Sequence, residues 1–113
     1  MYQILEELNK TSGITGSMIV GDDGIVIASD LHTSFEEDTI GALAASITSN
    51  IQKSMDRLQQ AALSQVTIEA GSGKLFFSHA GIGILVVTAE PDVNIGLIRL
   101  EIKNAVGKIN SNN

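Results

Sequence analysis

The chain has 113 residues, 43% of them hydrophobic, with no cysteine and a net charge of −6 from 13 acidic and seven basic side chains. That length and apolar content suit one globular domain with a core that needs no covalent staple, and they exclude a disordered chain. Without cysteine there are no disulfides, no thiol catalysis and no Cys-based zinc site, and so acidic a balance makes no basic patch for nucleic acid or an anionic membrane surface.

Tyr2 to Lys10 reads as a short helix with Ile4, Leu5 and Leu8 on its apolar face and Gly13 as its stop. No secretory leader or myristoylation start precedes it, and the longest apolar run, Ala80 to Ala89, is too short to span a bilayer, so a soluble, cytoplasmic protein is expected. Gly16 to Val20 and Ile25 to Ser29 read as strands joined by the turn Gly21-Asp22-Asp23-Gly24. Their consecutive apolar residues predict that both faces of both strands are covered. Asp22 and Asp23 lack the spacing and the closing Glu of a calcium loop, so they read as a solvated turn. His32 falls in the link that follows and reads as a surface loop histidine.

The longest element is a helix predicted from about Phe35 to about Leu63. Ser34 is its expected N-cap, forming a capping box with Glu37, and Glu36, Glu37 and Asp38 suit the positive end of the helix dipole. Ile40, Leu43, Ala44, Ile47, Ile51, Met55 and Leu58 recur at helical spacing as one apolar stripe. Such a helix would be about 40 Å long, whereas a six-residue strand spans only about 20 Å, so it overhangs any small sheet beneath it. Beside the stripe lie Gly41, Ala42, Ala45, Ser46 and Ser49. Small residues at these positions either fit the helix to its own sheet or water, or admit a second helix closely.

Gln65 to Ala70 alternates, with Val66, Ile68 and Ala70 on one side and Gln65, Thr67 and Glu69 on the other. Gly71-Ser72-Gly73-Lys74 is not a phosphate loop, because Ile68 stands where the first glycine belongs and Leu75 where the hydroxyl belongs. Leu75 to His79 is the next strand, with His79 expected to be packed and structural. Gly81-Ile82-Gly83 lacks the third glycine of a dinucleotide fingerprint, Val86 standing there, and Ile82 to Ala89 reads as a central strand. Pro91 ends it, Asn94 caps a last helix running to about Ile109, and the polar tail from Asn110 is expected to fray. The order helix, strand, strand, long helix, three strands, helix is that of an α+β domain spanning residues 1–113, with helices on both faces of one sheet.

This order, carried by Gly16 to Ser29, by the long amphipathic helix and by Asn94-Ile95-Gly96-Leu97-Ile98-Arg99-Leu100-Glu101, resembles the Roadblock (dynein light-chain) family over nearly the whole chain, and its prokaryotic, MglB-like subgroup in particular. The last stretch is similar to the Asn-x-Gly-x-x-Arg opening of the final helix in prokaryotic members. The resemblance implies a three-layer α/β/α sandwich, Roadblock/profilin-like, on one five-stranded antiparallel sheet in the order 2-1-5-4-3. It implies a homodimer in which the long helices pack together and the third strands pair edge to edge. Carried onto this sequence, that contact falls on Gly41, Ala42, Ala45, Ser49 and Gln52 of the helix and on Gln65, Val66, Thr67, Ile68 and Glu69 of the strand. The strand carries no Pro or Lys to blunt its edge, which agrees.

The resemblance further implies a non-catalytic adaptor that regulates or scaffolds a small Ras-like GTPase, stimulating hydrolysis without an arginine finger, with no cofactor, no metal and no catalytic residue of its own. The alternative is a small-molecule sensor of the PAS or GAF sandwich type. It requires a cavity with converging polar groups, whereas the strands here read as densely filled and the polar residues as confined to turns. An enzyme is disfavoured because His32, His79, Arg57 and Arg99 offer no nucleophile–base pair.

Overall fold

Met18, on the second strand of the sheet, sits in a row of residues that crosses every strand: Ser29, Met18, Val86, Phe77 and Val66. The computed structural model describes residues 1–31, 36–59 and 63–111. Its elements are α1 (Tyr2–Asn9), β1 (Ile14–Val20), β2 (Val26–Leu31), α2 (Glu37–Arg57), β3 (Gln65–Ala70), β4 (Gly73–Ala80), β5 (Gly83–Ala89) and α3 (Ile95–Ser111). The five strands form one antiparallel sheet in the order β2-β1-β5-β4-β3, as the family resemblance implies.

Pleating sends alternate side chains to opposite faces, and both faces of the central strands are apolar. Ile19, Phe76, Leu85 and Val87 point to one side and are sealed by Ile4, Leu5 and Leu8 of α1 and Ile98, Ile102 and Ile109 of α3. Met18, Val20, Phe77, Ile84 and Val86 point to the other and meet Ile40 and Ala44 of α2. The expected three layers are therefore present. β5, buried along its whole length, is the centre of both cores.

α2 is shorter than expected. It begins at Glu37 with Glu36 in the cap position, whose backbone is extended (φ −73°, ψ 122°) and whose carboxylate accepts from the Thr39 hydroxyl at 3.1 Å. Ser34, the expected cap, lies outside the described residues with His32 and Phe35. The helix stops at Arg57, and Gln59 turns out of it with φ 56°, a left-handed conformation that a residue with a Cβ adopts at some cost. The apolar period ran on through Leu58, and no glycine or proline announced the stop. At 21 residues α2 still measures about 30 Å, longer than any strand below it.

β2 departs from expectation too. Its pairing with β1 skips Ile27, since Ile19 faces Ala28 and Val20 faces Val26. This bulge leaves Ile27 50% exposed on an edge of the sheet, and Ile25, in the turn just before the strand, is 68% exposed, so the hairpin is not covered on both faces. Ile82 belongs to the two-residue turn between β4 and β5. Gly13 has the positive φ expected of it (93°) but stands in the turn into β1, beyond the helix cap at Lys10. Asn94 caps α3 as expected, its side-chain oxygen accepting from Leu97 N at 3.0 Å. The tail is firmer than expected through Ser111: Asn110 is helical, and its Oδ1 accepts from Gly81 N at 2.8 Å.

Candidate functional site

α2 covers its face of the sheet unevenly. Its contacts run mainly to β2, β1 and β5. Ile40, Gly41 and Ala44 point down, and Gly41 is buried so closely that a Cβ there would lie 2.8 Å from Gly24 O. Beside the helix, the outer half of the same face carries Val66, Ile68 and Leu75, which pack against the core yet stay half-exposed. Leu43 on the helix is 42% and Leu58, just beyond its end, 67% exposed, although the helical period places both in the inward stripe. The outer edge of this half-open face is β3, whose far side pairs with no strand among the described residues.

The residues assigned to a partner contact mostly border that face. Ala42, Ser49 and Glu69 are exposed, and Ala45, Gln52, Gln65, Val66, Thr67 and Ile68 are half-buried. Gly41 does not join them, because it is enclosed by the chain's own hairpin. Gln52 is held internally: its Nε2 donates to Asp56 at 2.9 Å and its Oε1 accepts from Leu63 N at 3.1 Å, bracing the approach to β3. Gln65 donates weakly to Arg99 O at 3.4 Å, while its own Oε1 is buried without a hydrogen-bond partner among the described residues. A buried acceptor left unmatched is costly.

The groups with chemical potential are dispersed. Asp23 braces its turn by accepting from Ile25 N at 3.0 Å. Arg57 is exposed in the last turn of α2, where a cation suits the negative end of the dipole. Arg99 reaches from α3 to the Thr67 hydroxyl at 3.1 Å. His79 is a correction. It is exposed rather than packed, because the pleat that buries Phe76 and Ala80 on the α1–α3 side turns His79 to the α2 side, at the far end of β4. There it lines a pocket of about 310 Å³ between α2, the β1–β2 turn and the sheet, together with Asp22, Thr48, Gln52, Lys53, Phe77 and Ile84. The pocket is open at the surface, its polar residues Asp22, Lys53 and His79 being exposed.

One phenol is perturbed. Tyr2, on the first turn of α1, donates to Asp30 of β2 at 3.3 Å, and the Asp30 charge raises its pKa above the ordinary 10.0, helped by that hydrogen bond. Asn9 donates to the same carboxylate at 2.9 Å, so Asp30 ties both ends of α1 to the edge strand. Among the described residues no three His, Asp or Glu cluster as metal ligands would, and no helix is long and apolar enough to cross a membrane.

Comparison with known proteins agrees with this architecture. The uncharacterized protein MJ0310 of Methanocaldococcus jannaschii is 44% identical over 107 residues, covering 95% of this chain and 94% of its own. Among solved structures, Myxococcus xanthus MglB superposes with a TM-score of 0.90 at 19% identity, over 97% of this chain and 91% of that one. A Roadblock/LC7 domain from Streptomyces avermitilis superposes with a TM-score of 0.88 at 23% identity, over 96% and 93%. At those identities the superpositions speak for the fold. The sequence pattern of the Roadblock/LC7 domain itself matches residues 1–89, and with the α/β/α sandwich and its 2-1-5-4-3 sheet this chain belongs to the Roadblock/LC7 domain family.

Proposed function

We propose that the chain is a non-catalytic, homodimeric adaptor that regulates or scaffolds a small Ras-like GTPase in the cytoplasm. The observation that carries this reading is the uneven α2 layer: one helix covers the β2-β1-β5 half of its face, and the β4-β3 half is left half-open beside exposed Leu43. The α2 of a second copy fits that space, and the two β3 edges then pair into one continuous sheet. The absence of Pro or Lys from β3 supports it.

GTPase regulation is what membership of the Roadblock family implies, and the likeness to MglB favours the prokaryotic regulators over motor subunits. The chain's own residues favour a platform over a catalyst. Of its two arginines, Arg99 is engaged with Thr67 and Arg57 is exposed at the end of α2, whereas an arginine finger must be free to reach the transferring phosphate, so Arg57 is the one left to test. A platform stimulates hydrolysis by binding the GTPase's active loop arrangement better than its inactive one. The test is a pull-down from native lysate with GTP and GDP analogues. Nucleotide-dependent capture of a small Ras-like GTPase is expected, and capture of none in either state contradicts the reading.

A further inference from the structure

We propose that the groove between α1 and α3 is a docking site for an acidic amphipathic helix of a partner protein. The groove lies on the face of the sheet opposite α2, so a dimer built through α2 and β3 leaves it open. Leu97, Glu101, Asn104 and Lys108 line it at intervals of three and four residues along one side of α3, while Arg99 projects from the other side to β3. The floor is apolar, formed by buried Ile4, Leu8 and Ala105, and Leu97 stands on the rim 41% exposed. With a volume of about 930 Å³ open to solvent, the groove does not enclose a small molecule as a ligand pocket does. The lining stretch of α3 from Leu97 to Ser111 runs about 20 Å, the length of about four helical turns.

Charge selects the occupant. The chain has nearly twice as many acidic as basic side chains, yet three of its five lysines, Lys10, Lys103 and Lys108, line this groove. Glu7 is neutralised by Lys10 at 3.5 Å. That leaves Glu101 against Lys103 and Lys108, neither of which is ion-paired among the described residues. The groove is thus net positive on a protein of net charge −6. An acidic helix sets carboxylates against the two free lysines while its apolar face covers Leu97 and the floor. A second copy of this chain would meet the groove against the mutual repulsion of two molecules of charge −6.

The experiment selects displayed helical peptides of about 14 residues on the full-length protein, from a library with a fixed Leu/Ala face and Asp, Lys or Asn free at the flanking positions. Expected is enrichment of Asp-bearing sequences that bind saturably and shift the methyl signals of Ile4, Leu8 and Leu97, with Leu43 and Val66 unmoved. Lys103→Glu combined with Lys108→Glu, both at exposed positions, weakens a selected peptide by about tenfold or more in a variant that melts like the native chain, and Glu101→Gln strengthens it. Failure to enrich any sequence above the input library overturns the proposal. So do enriched peptides that are neutral or basic, shifts confined to the α2 face, or binding that reversal of the two lysines leaves unchanged.

Discussion

The Arg99 guanidinium donates to the Thr67 hydroxyl at 3.1 Å, tying an early turn of α3 to the open edge strand β3. The Gln65 side chain returns the link to Arg99 O, so β3 is held in place from the face opposite α2. Arg99 is thereby a brace for the strand that the proposed dimer needs. Arg99→Ala is expected to lower stability by about 0.5–1 kcal/mol, the low end for a hydrogen bond because the pair is exposed. With the cognate GTPase, single-turnover hydrolysis should be unchanged or mildly reduced by Arg99→Ala, and likewise by Arg57→Ala. A loss of about a thousandfold with binding intact would make that residue a finger and defeat the platform mechanism.

Gly41 gives a test of how closely α2 sits on the hairpin. In an exposed helix, glycine to alanine adds about 1 kcal/mol of stability. Here the added Cβ would lie 2.8 Å from Gly24 O and 3.4 Å from Val20, with backbone as the obstacle. Gly41→Ala is therefore expected to destabilise by about 1–3 kcal/mol, measured by urea unfolding. A stabilised variant would show that the helix rides higher than described.

Much of this could be read from residue order alone. The bounds of β3 are legible because Gln65 to Ala70 alternates without a break, and the Asn94 cap because a side-chain acceptor stands immediately before an apolar period. Other features depend on partners distant in sequence. The bulge at Ile27 exists only in the register between β1 and β2. His79 has apolar neighbours in sequence, but alternate residues of a strand face different layers, and at that end of β4 the layer above is a pocket. Leu43 and Leu58 fit the helical period, but Leu43 stays exposed next to buried Ala44 and Leu58 stands just beyond the end of α2.

Tyr2 offers a direct optical test, since it is the single tyrosine and the chain has no tryptophan. The Asp30 charge favours the neutral phenol, so the folded-state pKa lies above the unfolded value of 10.0. The associated stabilisation is complete below pH 10.0 and is lost as the pH rises through the folded value. Absorbance titration of the phenolate should give a midpoint above 10.0 in the native protein, and Asp30→Asn should bring it down. An unchanged midpoint in that variant would remove Asp30 as the cause.

The proposed dimer predicts where a charge is tolerated. Ala45 is a poor probe, because it packs against the core below α2 and an arginine there would disturb the monomer as well. Ser49 is exposed on the same helix, one turn further on. Ser49→Arg should leave the thermal melt of the monomer fold intact and weaken self-association by about a hundredfold or more, since it buries an unpaired charge between helices.

Sedimentation equilibrium of the native chain at micromolar concentration tests the central claim most directly. The account predicts one species of twice the 11.9 kDa chain mass, with Ser49→Arg shifting it to the single mass. A folded species of 11.9 kDa for the unmutated chain under those conditions would contradict it.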